Sequence, residues 1–213
     1  MTSLLNTVLV LVMVMNLFAL GTSRIQAVIS IVAAQGAILG AFPLLVHQHL
    51  TPSVLLIALA AVAIKGIVIP TIMRRALRDA QIKREVEPLI GFLPSILLGA
   101  VATAFAIVLA GQLPLASRHE NALLVPASIT TVLAGFILLT TRFNALNQVI
   151  GYLVLENGIF IFGMLLIEAM PLVVEMGVLL DLFVGIFVIC IIVNRINREF
   201  TTVDERPFGA IEE

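Results

Sequence analysis

Lys65, Glu156 and Asp181 each stand near the middle of a long apolar run. An ionised side chain at the centre of a bilayer costs roughly 2.5–3.5 kcal/mol, and more if it faces lipid. Such residues turn toward protein or water, and they mark ion and proton paths. One base against two acids leaves a carboxyl without a counter-charge, and a carboxyl that can take up and release a proton is what a relay requires. The same residues would also serve as a static ion pair that locks helices together, with Lys65 neutralising either acid.

The neighbouring residues extend this chemistry. Asn144, Gln148, Tyr152 and Glu156 recur every four residues, so on a helix they form a slowly turning polar stripe along which water could deliver protons to Glu156. Polar residues of this kind also dress membrane interfaces. Asp181 is flanked four residues to either side by Gly177 and Gly185, whose small size permits close helix approach. Pro70 cannot donate to the carbonyl of Gly66, which predicts a kink or a bound water one residue past Lys65. Glu175 is a secondary candidate near the outer surface, as an exit site for protons or a solvated interfacial residue. The pair His47 and His49 is too few for a zinc site.

The elements that must hold these charges follow from composition. The chain has 213 residues, 61% hydrophobic and 12% charged, with a net charge of −1. A soluble domain is about one quarter charged, so the solvent of this fold is the bilayer. Nucleic-acid binding and disorder both need charge that is missing here. The single cysteine, Cys190, can form no disulfide within the chain and holds no iron–sulfur cluster, which takes about four ligands. No cofactor is expected in this chain.

A helix needs roughly 20 residues to cross the hydrocarbon core. Seven runs approach or exceed that length: 4–20, 25–46, 53–73, 89–110, 122–141, 149–167 and 172–193. They are continuous rather than alternating, which favours helices over barrel strands. Pro52, Pro88, Pro114 and Pro171 stand between them. Met1-Thr2-Ser3 carries no basic n-region, so the first run reads as a span rather than a signal peptide. The expected fold is an all-α polytopic bundle over 1–193 with a tail at 194–213.

Basic residues orient the bundle. Arg24, Arg74, Arg75, Arg78, Lys83, Arg84, Arg142, Arg195, Arg198 and Arg206 fall on one side and Arg118 on the other. The positive-inside rule then puts the N-terminus outside and the C-terminus in the cytoplasm. The basic stretch from Arg74 to Arg84 anchors that topology and could dock an acidic subunit or anionic lipid. Spans one to three and five to seven share an orientation, with Lys65 and Asp181 in corresponding members, as in a parallel duplication.

The block Ile150-Gly-Tyr-Leu-Val-Leu-Glu-Asn-Gly158, followed by Pro171-Leu-Val-Val-Glu-Met-Gly-Val-Leu-Leu-Asp181, resembles the E membrane subunit of hydrogenase-4, of the formate hydrogenlyase-type energy-converting hydrogenases. Ile64-Lys65-Gly-Ile-Val-Ile-Pro70 resembles the same family, so the likeness covers nearly the whole chain. Residues 143–193 further resemble the small K subunit of respiratory complex I and the C subunit of multisubunit sodium/proton antiporters. The resemblance implies a non-catalytic subunit of the prokaryotic inner membrane, between antiporter-like and quinone-site-like membrane subunits. Partner subunits would carry a nickel–iron centre and iron–sulfur clusters. It implies that Glu156 and Asp181 match two buried glutamates of a proton axis, although the second acid here is Asp. Gly151, Asn157 and Gly158 of the first block are expected to be structural residues.

The function these readings predict is an intramembrane proton or coupled-ion path through Lys65, Glu156 and Asp181, driven by redox events in partners. The rivals are a scaffold whose charges only fix packing, a subunit of a cation/proton antiporter, and a self-contained transporter. Against the last, no span carries the paired midplane Gly/Pro breaks of substrate sites.

Overall fold

The computed structural model describes residues 2–42, 44, 52–79, 89–113, 123–142 and 145–166, and these are all-helical apart from short connections. Seven α-helices are described: α1 Thr2–Gly21, α2 Ile25–Gly40, α3 Pro52–Ala63, α4 Ile69–Asp79, α5 Phe92–Ala110, α6 Leu124–Thr141 and α7 Ala145–Gly163. A π-helical turn, Ile64–Val68, joins α3 to α4, and a 3₁₀ turn, Met164–Leu166, follows α7. Among the described residues, four stretches are each long and apolar enough to cross a membrane: Ser3–Gly21, Phe92–Ala110, Leu124–Thr141 and Leu146–Gly163. The run at 172–193, with Asp181, Glu175, Gly177 and Gly185, lies outside the described residues.

Local sequence explains most boundaries. Pro52, Pro94 and Pro126 each lie in a first helical turn, where a missing N–H breaks no intrahelical bond. Pro52 therefore opens α3 rather than separating two spans. The helix expected from 149 begins a turn earlier, at Ala145. Asn147 and Gln148 interrupt the apolar run, yet Asn147 is buried, so packing rather than hydropathy sets this start. The distortion expected at Pro70 takes the form of the π turn, whose Ile69 N–H donates to the Ile64 carbonyl, five residues back.

Two apolar clusters hold the bundle. The first gathers Leu20, Ile25, Ile29, Ile69, Met73, Leu138 and Ile150; the second gathers Leu9, Val12, Leu39, Phe42, Ala127 and Ile161. Chain direction alternates between them. α1 and α6 run from the second cluster to the first, whereas α2 and α7 run the other way. On α4 the buried Ile69, Met73, Ala76 and Leu77 form one face, opposite the exposed Arg74, Arg75 and Arg78. The Arg74 guanidinium donates to Ser30 Oγ at 3.2 Å, tying α4 to the start of α2.

Arg142 closes the first-cluster end. Its guanidinium donates to the Leu20 carbonyl at 2.7 Å and lies 4.9 Å from the centre of the Phe92 ring. The cation thus sits at the C-terminal end of α1, where the helix dipole favours positive charge. At the opposite end Asn6 Oδ1 accepts from the backbone N–H of Leu123, ahead of α6. α1 and α6 therefore lie parallel. α5 turns Leu93, Leu97, Val101, Phe105 and Val108 outward, an apolar face suited to lipid.

Candidate functional site

A polar layer separates the two apolar clusters. On α1 Asn16 lies between Val12 and Leu20; on α2 Gln35 lies between Ile29 and Leu39. Thr131 occupies that level on α6, Glu156 and Asn157 on α7, and Lys65 on the π turn. Asn16, Gln35, Thr131, Glu156 and Asn157 are all buried.

Lys65 Nζ stands 3.3 Å from Glu156 Oε1 and donates to Asn157 Oδ1 at 3.4 Å. The Phe160 ring centre lies 5.6 Å from the same nitrogen, within cation–π range. The Lys65–Glu156 separation exceeds the roughly 2.7–2.9 Å of tight charge-assisted bonds, so this is a contact ion pair. Burying two charges is offset only when attraction and further hydrogen bonds replace hydration, and Asn157 supplies one such bond.

From Lys65 the bonding continues across the bundle. Asn157 Nδ2 donates to Gln35 Oε1 at 3.2 Å, and Gln35 Nε2 donates to Asn16 Oδ1 at 2.8 Å. Asn16 Nδ2 then donates to Thr131 Oγ1 at 2.8 Å, and that hydroxyl donates to the Ala127 carbonyl at 2.6 Å. Polar side chains bridging membrane helices contribute about 0.6 kcal/mol each on average.

Glycines set the spacing of the layer. A Cβ on Gly36 would lie 2.9 Å from Lys65 Cβ, so α2 runs against the stem of the lysine. Between α6 and α7, a Cβ on Gly135, Gly151 or Gly158 would meet a backbone nitrogen of the facing helix at 2.5 to 2.7 Å. Backbones this close leave no room for a side chain, and the contact fixes Glu156 and Asn157 in register with Thr131.

The α7 stripe divides. Glu156 is buried, Tyr152 is half-buried against the first apolar cluster, and Gln148 is exposed. A four-residue repeat drifts around a helix, so two steps rotate the face by about 80°. Gln148 and Glu156 consequently look in different directions. Asn144 lies outside the described residues. Among the described site residues, Lys65, Glu156 and Asn157 are brought together, and Pro70 lies just beyond the π turn. Asn16, Gln35 and Thr131 escape a search based on formal charge; the signal for them is an uncharged polar residue deep in an apolar run.

No protein-family model matches the chain, and no solved structure matches it. Over 186 residues it is 33% identical to the uncharacterized protein Rv0085 of Mycobacterium tuberculosis, covering 84% of this chain and 83% of that protein. The chain belongs to the Rv0085 family. The chain is also 25% identical over 212 residues to hydrogenase-4 component E of Escherichia coli K12, covering 98% of this chain and 97% of that protein. The same figures hold for hydrogenase-4 component E of Shigella flexneri. This weak likeness over the whole chain supports the family suggested by the sequence blocks, and with the apolar helices it fits a membrane-embedded protein.

Proposed function

We propose that this protein is a non-redox membrane subunit of an energy-converting, complex I-related hydrogenase, and that Lys65, Glu156 and Asp181 contribute to its intramembrane proton path. The observation that carries the reading is the Lys65–Glu156 pair at 3.3 Å, buried between two apolar clusters. The whole-chain likeness to hydrogenase-4 component E supplies the kind of complex.

A proton passing between Lys65 and Glu156 exchanges a charge pair for a neutral pair, and a third titratable group is needed to carry it onward. Asp181, outside the described residues, is that group in this reading. The bundle has seven spans, with the basic end formed by Arg24, Arg74, Arg75, Arg78 and Arg142 facing the cytoplasm. Antiporter-like and quinone-site-like subunits flank it in the inner membrane, and cytoplasmic partners carry the nickel–iron centre and iron–sulfur clusters. Moving one charge against 100 mV takes about 2.3 kcal/mol, which redox events in those partners supply.

A scaffold role is the second reading, favoured by the uncharged, internally bonded remainder of the layer. Purification from mild detergent through a C-terminal tag tests the proposal. Recovery with hydrogenase, iron–sulfur and antiporter-like subunits supports it, and recovery alone contradicts it. The Asp181→Asn variant is expected to assemble yet lose ion transport. In a scaffold, exchanging Lys65 and Glu156 would preserve transport; in a directional path it would not.

A further inference from the structure

Among the described residues, the side-chain bonds that link the polar layer into a row run one way, and Gln35 Nε2 also reaches the Val12 carbonyl at 3.5 Å. From Lys65 through Asn157, Gln35 and Asn16 to Thr131, each group donates to the next, and Thr131 donates to a helix carbonyl. Every amide in the row turns its oxygen toward Lys65 and its nitrogen away. Aligned dipoles polarise one another in a low-dielectric interior, so the row presents the partial negative charge of the Asn157 oxygen to the ammonium. The terminal carbonyl fixes the sense of the row, because the Thr131 hydroxyl has only one proton to give.

The same residues are poor carriers of protons. Primary amides and an aliphatic hydroxyl do not titrate near neutrality. Among the described members of the layer, the ionisable side chains are those of Lys65 and Glu156.

We propose that Asn157, Gln35, Asn16 and Thr131 are positioning residues: an oriented amide row that aims the Lys65 ammonium at Glu156 while keeping its proton from α1, α2 and α6. The inference rests on the reading of Lys65 and Glu156 as part of an ion path. It extends the functional unit to helices that carry no charge at this depth.

Thr131→Val removes the last hydroxyl at nearly constant shape, three amides away from Lys65; Thr131→Ser keeps that hydroxyl. Inverted membrane vesicles holding the intact complex report hydrogenase electron transfer and, by dye quenching, charge moved per electron. Thr131→Val is expected to lower that ratio about three- to tenfold, the scale of one lost hydrogen bond, at unchanged subunit content. Thr131→Ser should restore it, and Asn16→Leu should match or exceed the loss. An unchanged ratio in both Thr131→Val and Asn16→Leu overturns the inference. Equal losses in Thr131→Val and Thr131→Ser, or losses that only track subunit content, also overturn it by showing a packing role. Lys65→Met separates the two proposals. If it lowers the ratio while neither Thr131→Val nor Asn16→Leu does, only the amide row falls; if it leaves the ratio unchanged, the ion path and the row fall together.

Discussion

Gly36 stands against the stem of Lys65, so close that a methyl group added to the glycine would lie 2.9 Å from the lysine Cβ. The contact couples two features that look unrelated in the sequence, a small residue in α2 and a charge on a π turn. Single π turns inside α-helices recur at functional sites. Here the turn carries Lys65, and α2 braces it from behind. Gly36→Ala should force the helices apart and cost about 1–3 kcal/mol. Thermal unfolding of the purified protein should show the loss, and an unchanged midpoint would contradict the close contact.

The ion pair makes an asymmetric prediction. Removing one partner of a buried pair costs roughly 3–5 kcal/mol, whereas replacing both by apolar groups is often neutral. Lys65→Met and Glu156→Gln should each lower the yield of assembled protein, and Lys65→Met with Glu156→Leu should recover much of it. Additive losses in the double variant would show that the two side chains do not interact.

The α6–α7 contact offers an internal control. Gly135→Ala, Gly151→Ala and Gly158→Ala each push a methyl group against facing backbone, whereas a Cβ on Gly163 meets nothing within 4 Å. The first three should destabilise by about 1–3 kcal/mol or more. Gly163→Ala, at the last residue of the helix, should be neutral or stabilise by up to about 1 kcal/mol, from helix propensity alone. Equal effects at all four positions in a thermal-unfolding series would contradict the described packing.

Arg142 gives a prediction about pH. Burial pushes its guanidinium below its ordinary value. A base with a lowered folded value binds fewer protons folded than unfolded only between the two values, and there stability rises with pH. Below both values its contribution is constant. Arg142→Leu should cost about 1.5–3 kcal/mol through the bond to the Leu20 carbonyl. Unfolding curves of the two proteins should nevertheless run parallel across the neutral range, and a difference that changes there would assign the effect to another group.

Much of this arrangement is legible in the sequence, for identifiable reasons. Continuous apolar runs have few structural solutions in a bilayer, so α1, α5 and α6 fall close to the runs at 4–20, 89–110 and 122–141. Lys65 and Glu156 stand out because charge is costly at that depth. Their pairing was open, since Asp181 is an equal partner on charge alone. Asn16, Gln35 and Thr131 are hidden by the tolerance of membrane helices for uncharged polar residues, whose importance depends on which neighbours face them. Pro70 announces a distortion, but the close packing of the π turn against Gly36 and Ala37 is not revealed by spacing along one helix.

The central claim is that the Lys65–Glu156 pair carries protons rather than merely joining helices. The most direct measurement is charge moved per electron in inverted vesicles carrying Glu156→Gln, read against electron transfer and subunit content in the same preparation. The account predicts that, in the complex that still assembles, electron transfer persists while the charge transported per electron falls toward background. Transport per electron equal to that of the unaltered protein would contradict it and leave the pair a structural bond.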